Sequence, residues 1–161
     1  MTTKNEAKNT TTLEKPALKL VVARTIQAPS RLVYEALTDP KQMVQWWSPE
    51  DIACRSVTAD LKVGGSYRIH MTSVKGDHFA FGKYTEIVPN KRLRFTWQWE
   101  NYAMPDSVVT IELEDLGATT HLTLTHEGLP DEEDVVEHKH GWTSLVEKFA
   151  RLMAENKIKI G

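Results

Sequence analysis

The 161-residue sequence has little of several features that would mark a specialised class of protein. It contains one cysteine, Cys54, so no disulfide can form within the chain, which is typical of a reducing compartment. No apolar run reaches the roughly 18 residues that cross a membrane, and the amino terminus lacks the apolar core of a secretory signal. The formal net charge is only −2, whereas nucleic-acid-binding domains usually carry a basic face. We therefore expect a cytoplasmic protein that binds neither nucleic acid nor membrane.

The composition is that of one ordinary globular domain. Hydrophobic residues make up 40% of the chain and charged residues 26%. A chain of this length buries roughly two thirds of its unfolded surface, which is enough for a core without disulfides or metals. Residues 1–16 are polar and show no periodicity, so we interpret them as a flexible tail. A single domain is predicted over residues 17–157.

The clearest periodicity lies at the carboxy-terminal end. From Asp131 onward, large residues recur at steps of three and four, the spacing of one face of an α-helix. The residues of this stripe are Val135, His138, Trp142, Leu145, Phe149 and Leu152. His138 occupies a position where an aliphatic side chain is expected, and Gly141 leaves room beside it. The pattern therefore predicts a long helix with incomplete packing near His138, as at the wall of a pocket.

The rest of the chain is predicted to form mainly β-strands. Alternating apolar and polar residues indicate a first strand near residues 18–26. Two short helices follow, the second with Asp39 as its N-cap, Pro40 at its first position and Gln42 closing a capping box. About six further strands are joined by short turns, and residues 92–100 are the most regular of them. Such an order predicts an antiparallel meander that buries one face against the final helix.

Several segments, taken together and in order, resemble the helix-grip fold of the START and Bet v-type superfamily, also called SRPBCC. Within it they resemble the branch named for the activator of the heat-shock protein 90 ATPase. The matching segments are RTIQAP (24–29) and VYEALTDP (33–40), WW (46–47) with Pro49, DLKVGG (60–65), GKYTEI (82–87) with Pro89 and Arg92-Leu93, and His138 with Gly141-Trp142. The resemblance implies an α+β fold in which a curved antiparallel sheet of about seven strands wraps around a long C-terminal helix, with two short helices after the first strand. Members bind very different ligands, so the fold implies no particular activity.

Aromatic residues with a few polar groups on the predicted inner faces indicate a small-molecule pocket between sheet and helix. The predicted ligand-binding residues are Trp46, Trp47, Tyr67, Phe81, Tyr84, Trp97, Trp99, His126, His138, Gly141 and Trp142. The alternative is that most of these large side chains simply fill the core.

Two histidines are candidate catalytic residues. His126 ends the last predicted strand and His138 lies in the first turns of the last helix, so we expect the two rings to lie near each other. An imidazole can donate to a ligand carbonyl, move a proton near neutral pH or bind a metal. A purely structural hydrogen bond to a neighbouring carbonyl or hydroxyl is the alternative. We predict no metal site, because His138 and His140 face different directions on a helix, and no cofactor.

Three functions are compatible with the sequence. The first is the binding of a small hydrophobic or amphipathic molecule. The second is an enzyme of the cyclase or hydrolase type found on this fold, with His138 or His126 moving a proton and Tyr84 or Tyr67 as a hydroxyl partner, although no catalytic set is complete. The third, stimulation of a chaperone ATPase, is implied only by the family's name, and we do not expect it because the eukaryotic activators use an additional domain. A homodimer is compatible with all three.

Overall fold

The computed structural model describes residues 18–49 and 51–160, in which the chain forms eight strands and three helices. The predicted tail, residues 1–16, lies outside the described residues. In chain order the elements are β1 (Leu20–Ile26), α1 (Ser30–Thr38), α2 (Pro40–Met43), β2 (Ala53–Ala59), β3 (Ser66–Ser73), β4 (Gly76–Val88), β5 (Arg92–Thr96), β6 (Gln98–Trp99), β7 (Val108–Asp115), β8 (Thr120–Glu127) and α3 (Glu132–Ala154).

One antiparallel sheet organises these elements. Its strand order is β1-β8-β7-β5-β4-β3-β2, and the short β6 pairs with β4 beside the end of β5. The first strand pairs with the last, so β1 and β2 form the two edges and the chain passes between them through α1 and α2. The sheet curls into a half-barrel around α3. This confirms the predicted α+β helix-grip fold, with seven strands along the path of the sheet.

Strict alternation places the apolar side chains on the concave face of the sheet. Every second residue of β8 is buried, from Thr120 to His126, and the same holds for Tyr67, Ile69 and Met71 of β3. Because successive side chains of a strand point to opposite faces, this pattern buries one face and leaves the other exposed.

Helix α3 covers the concave face, and only part of its length is fully packed. Its N-cap, Asp131, accepts a hydrogen bond from the Asp134 amide at 2.8 Å. Trp142, Leu145 and Phe149 of the predicted stripe are buried. His138 and Val135, nearer the start of the helix, are only half-buried. The carboxy-terminal half of α3 therefore closes the core, and its amino-terminal half stands partly away from it.

The start of α2 follows the prediction except in its capping box. Asp39 is the N-cap, and its carboxylate accepts from the Lys41 amide at 3.1 Å. The Gln42 side chain donates instead to the Asp39 carboxylate at 3.3 Å. A capping box needs the Asp39 backbone N–H as donor, and that group is already bonded to the Glu35 carbonyl at the end of α1. The capping-box prediction is therefore wrong.

The predicted continuous strand over residues 92–100 is also wrong, because it is interrupted at Trp97. Two side-chain hydrogen bonds replace the regular pairing there: the Tyr67 hydroxyl donates to the Thr96 carbonyl at 2.5 Å, and the Thr96 hydroxyl accepts from the Lys83 amide at 2.9 Å. Opposite them Gly82 leaves space for the Thr96 backbone. The alternation of inward and outward side chains continues past the interruption, so Trp97 still faces inward.

Replacing Gly82 with alanine is expected to lower the free energy of unfolding by about 1–3 kcal/mol, the usual range for overpacking. A Cβ atom at this position would lie 2.0 Å from the Thr96 carbonyl oxygen, which is backbone and cannot move aside alone. Urea denaturation of the variant and the wild type measures the difference.

Gly141→Ala is the control, because its Cβ would come no closer than 3.9 Å to Pro49. Alanine favours a helix over glycine by about 1 kcal/mol, so this variant should be unchanged or more stable. Equal stability of the Gly82→Ala variant and the wild type would show that the two strands can separate at this point without loss.

Candidate functional site

A cavity of about 840 Å³ lies between the amino-terminal half of α3, the end of the β5–β6 segment and the chain after α2. This volume falls within the range of roughly 300–1,000 Å³ that is common for small-molecule sites. The lining residues are Trp47, Pro49, Asp51, Ile52, Met71, Lys75, His78, Trp97, Trp99, Asn101, Tyr102, Asp131, Glu133, Asp134, Glu137, His138, His140, Gly141, Trp142, Ser144 and Leu145. Three buried tryptophans and the half-buried Trp99 form the inner wall, and most residues of the mouth are exposed and polar.

Six of the eleven predicted ligand-binding residues line this cavity, namely Trp47, Trp97, Trp99, His138, Gly141 and Trp142. Their convergence follows from the two periodicities in the sequence. Alternation along β5 and β6 turns Trp97 and Trp99 inward, and the helical steps of α3 place His138 and Trp142 opposite them. Whether these residues contact a ligand stays a prediction.

Trp46 belongs to the core, although it is adjacent to Trp47. Its indole N–H donates to the Ala36 carbonyl at 3.0 Å, and its ring centroid lies 4.4 Å from that of Phe149. Consecutive residues of a helical turn point in different directions, so only one of the two tryptophans can reach the cavity.

Tyr67 and Tyr84 also lie in the core, in a layer of rings under the sheet. Their ring centroids are 5.7 Å apart, and both side chains are 3% exposed. Burial raises the pKa of Tyr84 to about 12 and that of Tyr67 well above its ordinary value. Neither borders the cavity, so the geometry gives no support to a role as hydroxyl partner in catalysis.

The prediction that Phe81 faces inward is wrong, since its side chain is 38% exposed on the outer face of β4. The inward positions on either side of it are held by Ala80 and Gly82. These small residues pair with the large inward residues Trp99 and Tyr67 of the neighbouring strands. Each small residue leaves the space that the large residue opposite it fills. Because Ala80 and Gly82 point inward, Phe81 between them points outward.

Trp97 is the centre of the aromatic wall. Its ring centroid lies 4.9 Å from Trp142, 5.4 Å from Trp99 and 6.5 Å from Trp47. The indole N–H groups of Trp47 and Trp97 are buried and have no hydrogen-bond partner among the residues described. Leaving a buried donor unpaired costs about 1–3 kcal/mol, so two such groups in one wall need an explanation.

His126 and His138 lie side by side as predicted, with ring centroids 5.2 Å apart. His126 is fully buried and does not border the cavity. Trp142 donates its indole N–H to Nδ1 of His126 at 2.9 Å, so the imidazole proton is on Nε2, which lies 2.5 Å from the Ser107 hydroxyl oxygen. Burial, and secondly the neighbouring His138, lowers the pKa of His126 to about 3. It is therefore neutral over the whole physiological pH range.

His138 does border the cavity, but its two ring nitrogens are both engaged. Trp99 donates its indole N–H to Nε2 at 3.1 Å, which places the proton on Nδ1, and Nδ1 donates to the Asp134 carbonyl at 2.8 Å. Neither histidine therefore presents a free nitrogen to a substrate. The structural alternative fits both residues better than catalysis does.

Tyr102 and Asp134 are site residues that the sequence did not reveal. The Tyr102 hydroxyl donates to the Asp134 carboxylate at 2.6 Å, and this bond raises the pKa of Tyr102 to about 12. The contact ties the loop between β6 and β7 to the first turn of α3 at the mouth of the cavity. Tyr102 lies in a loop without periodicity, so nothing in the sequence indicates that it is a site residue. Asp134 could have been found, because its spacing of four from His138 puts both on one helical face.

The described parts of the chain contain neither a metal site nor a membrane-spanning helix. No group of three or more histidine, cysteine or carboxylate side chains in residues 18–49 and 51–160 is arranged to hold a metal ion. No helix within the same residues is long and apolar enough to cross a membrane.

A family model described as Activator of Hsp90 ATPase homolog 1-like protein matches residues 27–154. The chain belongs to this family. Protein CV1439 from Chromobacterium violaceum, a solved structure, is 30% identical, with 84% of this chain and 96% of that chain covered and a TM-score of 0.77. The AHSA1 protein SPO3351 from Silicibacter pomeroyi is 26% identical over 86% of this chain and 99% of its own, with a TM-score of 0.74. No curated protein sequence matches.

A third solved structure, protein MLL2253 from Mesorhizobium loti, is 26% identical over 85% of this chain and 97% of its own, with a TM-score of 0.69. The family match and these structures confirm the resemblance drawn from the sequence motifs. They give the family's fold and no ligand.

The neutral state of His126 makes the protein's stability sensitive to acid. An unfolded histidine has a pKa of about 6.5, so below that pH the unfolded chain takes up a proton that folded His126 does not bind until about pH 3. The free energy of unfolding should therefore fall as the pH is lowered from 7 to 5, by at most about 1.4 kcal/mol per pH unit from this residue.

His126→Gln retains a donor and an acceptor but cannot titrate, so its unfolding free energy should fall less steeply over the same pH range. Titration of the imidazole resonances by NMR provides a second measurement on the wild type, in which the His126 resonance should not show a titration between pH 8 and 5. Equal slopes for the two proteins, or a His126 resonance that titrates near neutral pH, would contradict the buried neutral state.

Proposed function

We propose that the protein binds a small hydrophobic or amphipathic molecule in the cavity between the sheet and α3, and acts as a binding protein. The observation that carries this proposal is an inner wall of four tryptophans, Trp47, Trp97, Trp99 and Trp142, around a space of about 840 Å³. A ligand that fills this space would remove apolar ring surface from water, which contributes about 25 cal/mol per Å².

The packing of α3 supports an open site rather than a defect in the core. Leu145, Phe149 and Val146 are closely packed against the sheet, whereas one helical turn earlier Gly141 is only half-buried and its missing side chain leaves open space. The change from closed to open packing takes place within a single helix. It puts the gap at one end of the fold, where a ligand can enter from solvent.

The engaged histidines favour binding over catalysis. A general base needs a free acceptor near the proton it removes, and both nitrogens of His126 and His138 already take part in hydrogen bonds within the protein. His138 can still offer ring surface to a ligand. We accordingly propose no reaction, and the family's name alone gives no reason to propose a chaperone partner.

We further propose a cytoplasmic location, because the single cysteine, Cys54, cannot form a disulfide within the chain, as is typical of proteins in a reducing compartment. A homodimer stays a prediction, and sedimentation velocity of the purified protein would measure it.

Gly141→Leu tests the binding site directly. Because a Cβ at Gly141 would meet only Pro49, at 3.9 Å, a leucine there should project into the cavity without unfolding the helix. The probe is the neutral fluorescent ketone 6-propionyl-2-(dimethylamino)naphthalene, titrated with protein. We expect saturable binding by the wild type and at least about tenfold weaker binding by the variant.

Thr143→Leu is the matched control, since it adds the same side chain to the exposed face of α3 outside the cavity. It should bind the dye as the wild type does. The absence of saturable binding by the wild type, or normal binding by a folded Gly141→Leu variant, would rule the proposed site out.

A further inference from the structure

We propose that the ligand is a protonated organic amine with an apolar body, and that its ammonium group donates to the Asp134 carboxylate at the mouth of the cavity. The apolar body lies against the tryptophan wall. The inference rests on the proposed binding function and specifies the chemical class of the ligand.

Asp134 is a buried carboxylate with one oxygen that lacks a donor. The residue is 7% exposed and borders the cavity. The Tyr102 hydroxyl donates to Oδ2 at 2.6 Å, whereas no described residue donates to Oδ1 or forms an ion pair with it. Oδ1 keeps solvent-accessible surface, in contrast to the enclosed and unpaired indole N–H groups of Trp47 and Trp97. A ligand can therefore reach Oδ1, and a donor there would complete a carboxylate that is otherwise only half satisfied.

The carboxylates around the cavity outnumber its cationic side chains. Lys75 is the only lysine in the lining, and no arginine of the described residues borders the cavity. The carboxylates of the lining belong to Asp51, Asp131, Glu133, Asp134 and Glu137. Among the described residues none forms an ion pair with Asp51, Glu133 or Glu137. These charges attract a cation, and repel an anion such as a fatty-acid carboxylate, within the screening distance of about 8–10 Å.

The position of these residues at the start of α3 does not by itself explain the charge of the cavity. The helix dipole places about half a positive charge at this end and favours the carboxylates of the first turn. Glu132 is exposed outside the cavity and serves the dipole equally well. Asp51 and Glu137 lie outside the first turn, so the dipole does not account for them. Half a positive charge also leaves the cavity, with its five carboxylates, negative.

Two aromatic side chains of the cavity are tied to the residue that would hold the ammonium group. The Tyr102 hydroxyl is bonded to the Asp134 carboxylate, and Trp99 donates to His138, which donates in turn to the Asp134 carbonyl. Tyr102 and Trp99 also form a β-bridge with each other. The faces of tyrosine and tryptophan rings attract cations. This part of the cavity therefore suits a cation better than an anion.

The negative charges suit an organic cation better than a metal ion. No group of three or more histidine, cysteine or carboxylate side chains in residues 18–49 and 51–160 is arranged to hold a metal ion. A calcium ion takes about six to eight oxygen ligands, whereas an ammonium group needs only one acceptor for a charge-assisted hydrogen bond. Trp97 and Trp142, which line the same cavity, supply the apolar surface for the rest of such a ligand.

Three ligands that share a naphthalene ring test the charge preference on the wild type. They are 2-(1-naphthyl)ethylamine, 2-(1-naphthyl)ethanol and 1-naphthylacetate, which carry an ammonium, a hydroxyl and a carboxylate group at similar reach. Their affinities are measured by displacement of the neutral dye 6-propionyl-2-(dimethylamino)naphthalene. At about pH 8 an ordinary histidine is neutral and an ordinary amine is protonated. We expect the amine to bind about tenfold more tightly than the alcohol, and the carboxylate to bind most weakly.

Asp134→Asn should lose most of the preference for the amine over the alcohol. The amide oxygen can still accept from Tyr102, so the variant removes the charge and keeps the tie between loop and helix. Glu132→Gln is the matched control, because it removes one charge from the same helical turn at an exposed position outside the cavity. It should keep most of the preference.

NMR of the side-chain carboxyl groups tests the contact without any substitution. In wild-type protein labelled with ¹³C at these groups, the Asp134 signal should move on binding of the amine, and should move less on binding of the alcohol. This measurement does not depend on the folding of a variant.

The outcomes separate the two proposals. Equal affinities of the amine and the alcohol, an Asp134 signal that does not move, or an equal loss of preference in Glu132→Gln and Asp134→Asn overturns the inferred ligand class and leaves the binding site standing. The absence of dye binding by the wild type overturns the binding function itself, and the inference with it.

Discussion

The close approach of the Thr96 backbone to Gly82 is the constraint on which the concave face depends. The Tyr67 hydroxyl donates to the Thr96 carbonyl, and the Thr96 hydroxyl accepts from the Lys83 amide, so these two backbone groups stay paired where the strand is interrupted. The alternation continues through the interruption. Trp97 is thereby held inward at the centre of the rings, with its indole next to the cavity.

The packing of α3 against the sheet differs along its length, and this difference leaves a cavity at one end of the core. In its carboxy-terminal half, large apolar side chains close the space between helix and sheet. In its amino-terminal half the same face carries His138, which is held by Trp99 and by the Asp134 carbonyl, and Gly141, which fills nothing. The tie between Tyr102 and Asp134 fixes the far side of the opening. His138, Tyr102 and Asp134 are therefore held by hydrogen bonds within the protein and do not depend on a ligand for their positions.

The sequence predicted the fold and the tryptophans of the cavity wall, because periodicity reports which face of an element is buried. It could not separate Trp46 from Trp47, since both are apolar residues in a turn too short to show a period. It assigned Phe81 to the wrong face because the inward residues of β4 beside it are small. The reason for small residues there is their pairing with large residues on the neighbouring strands, which the sequence does not show. It placed His126 correctly on the inner side but could not show that the core closes over it.

The two tryptophan–histidine chains have a fixed direction. An indole N–H can give a hydrogen bond and cannot receive one, so the order of donor and acceptor along Trp142, His126 and Ser107 cannot be reversed, and the same holds from Trp99 through His138 to the Asp134 carbonyl. A proton wire needs groups that both accept and release, so neither chain can relay a proton between the cavity and the interior. Among the described residues, the only group bonded to Nε2 of His138 is the Trp99 indole. Without that indole, Nε2 would be a free acceptor in a residue that lines the cavity.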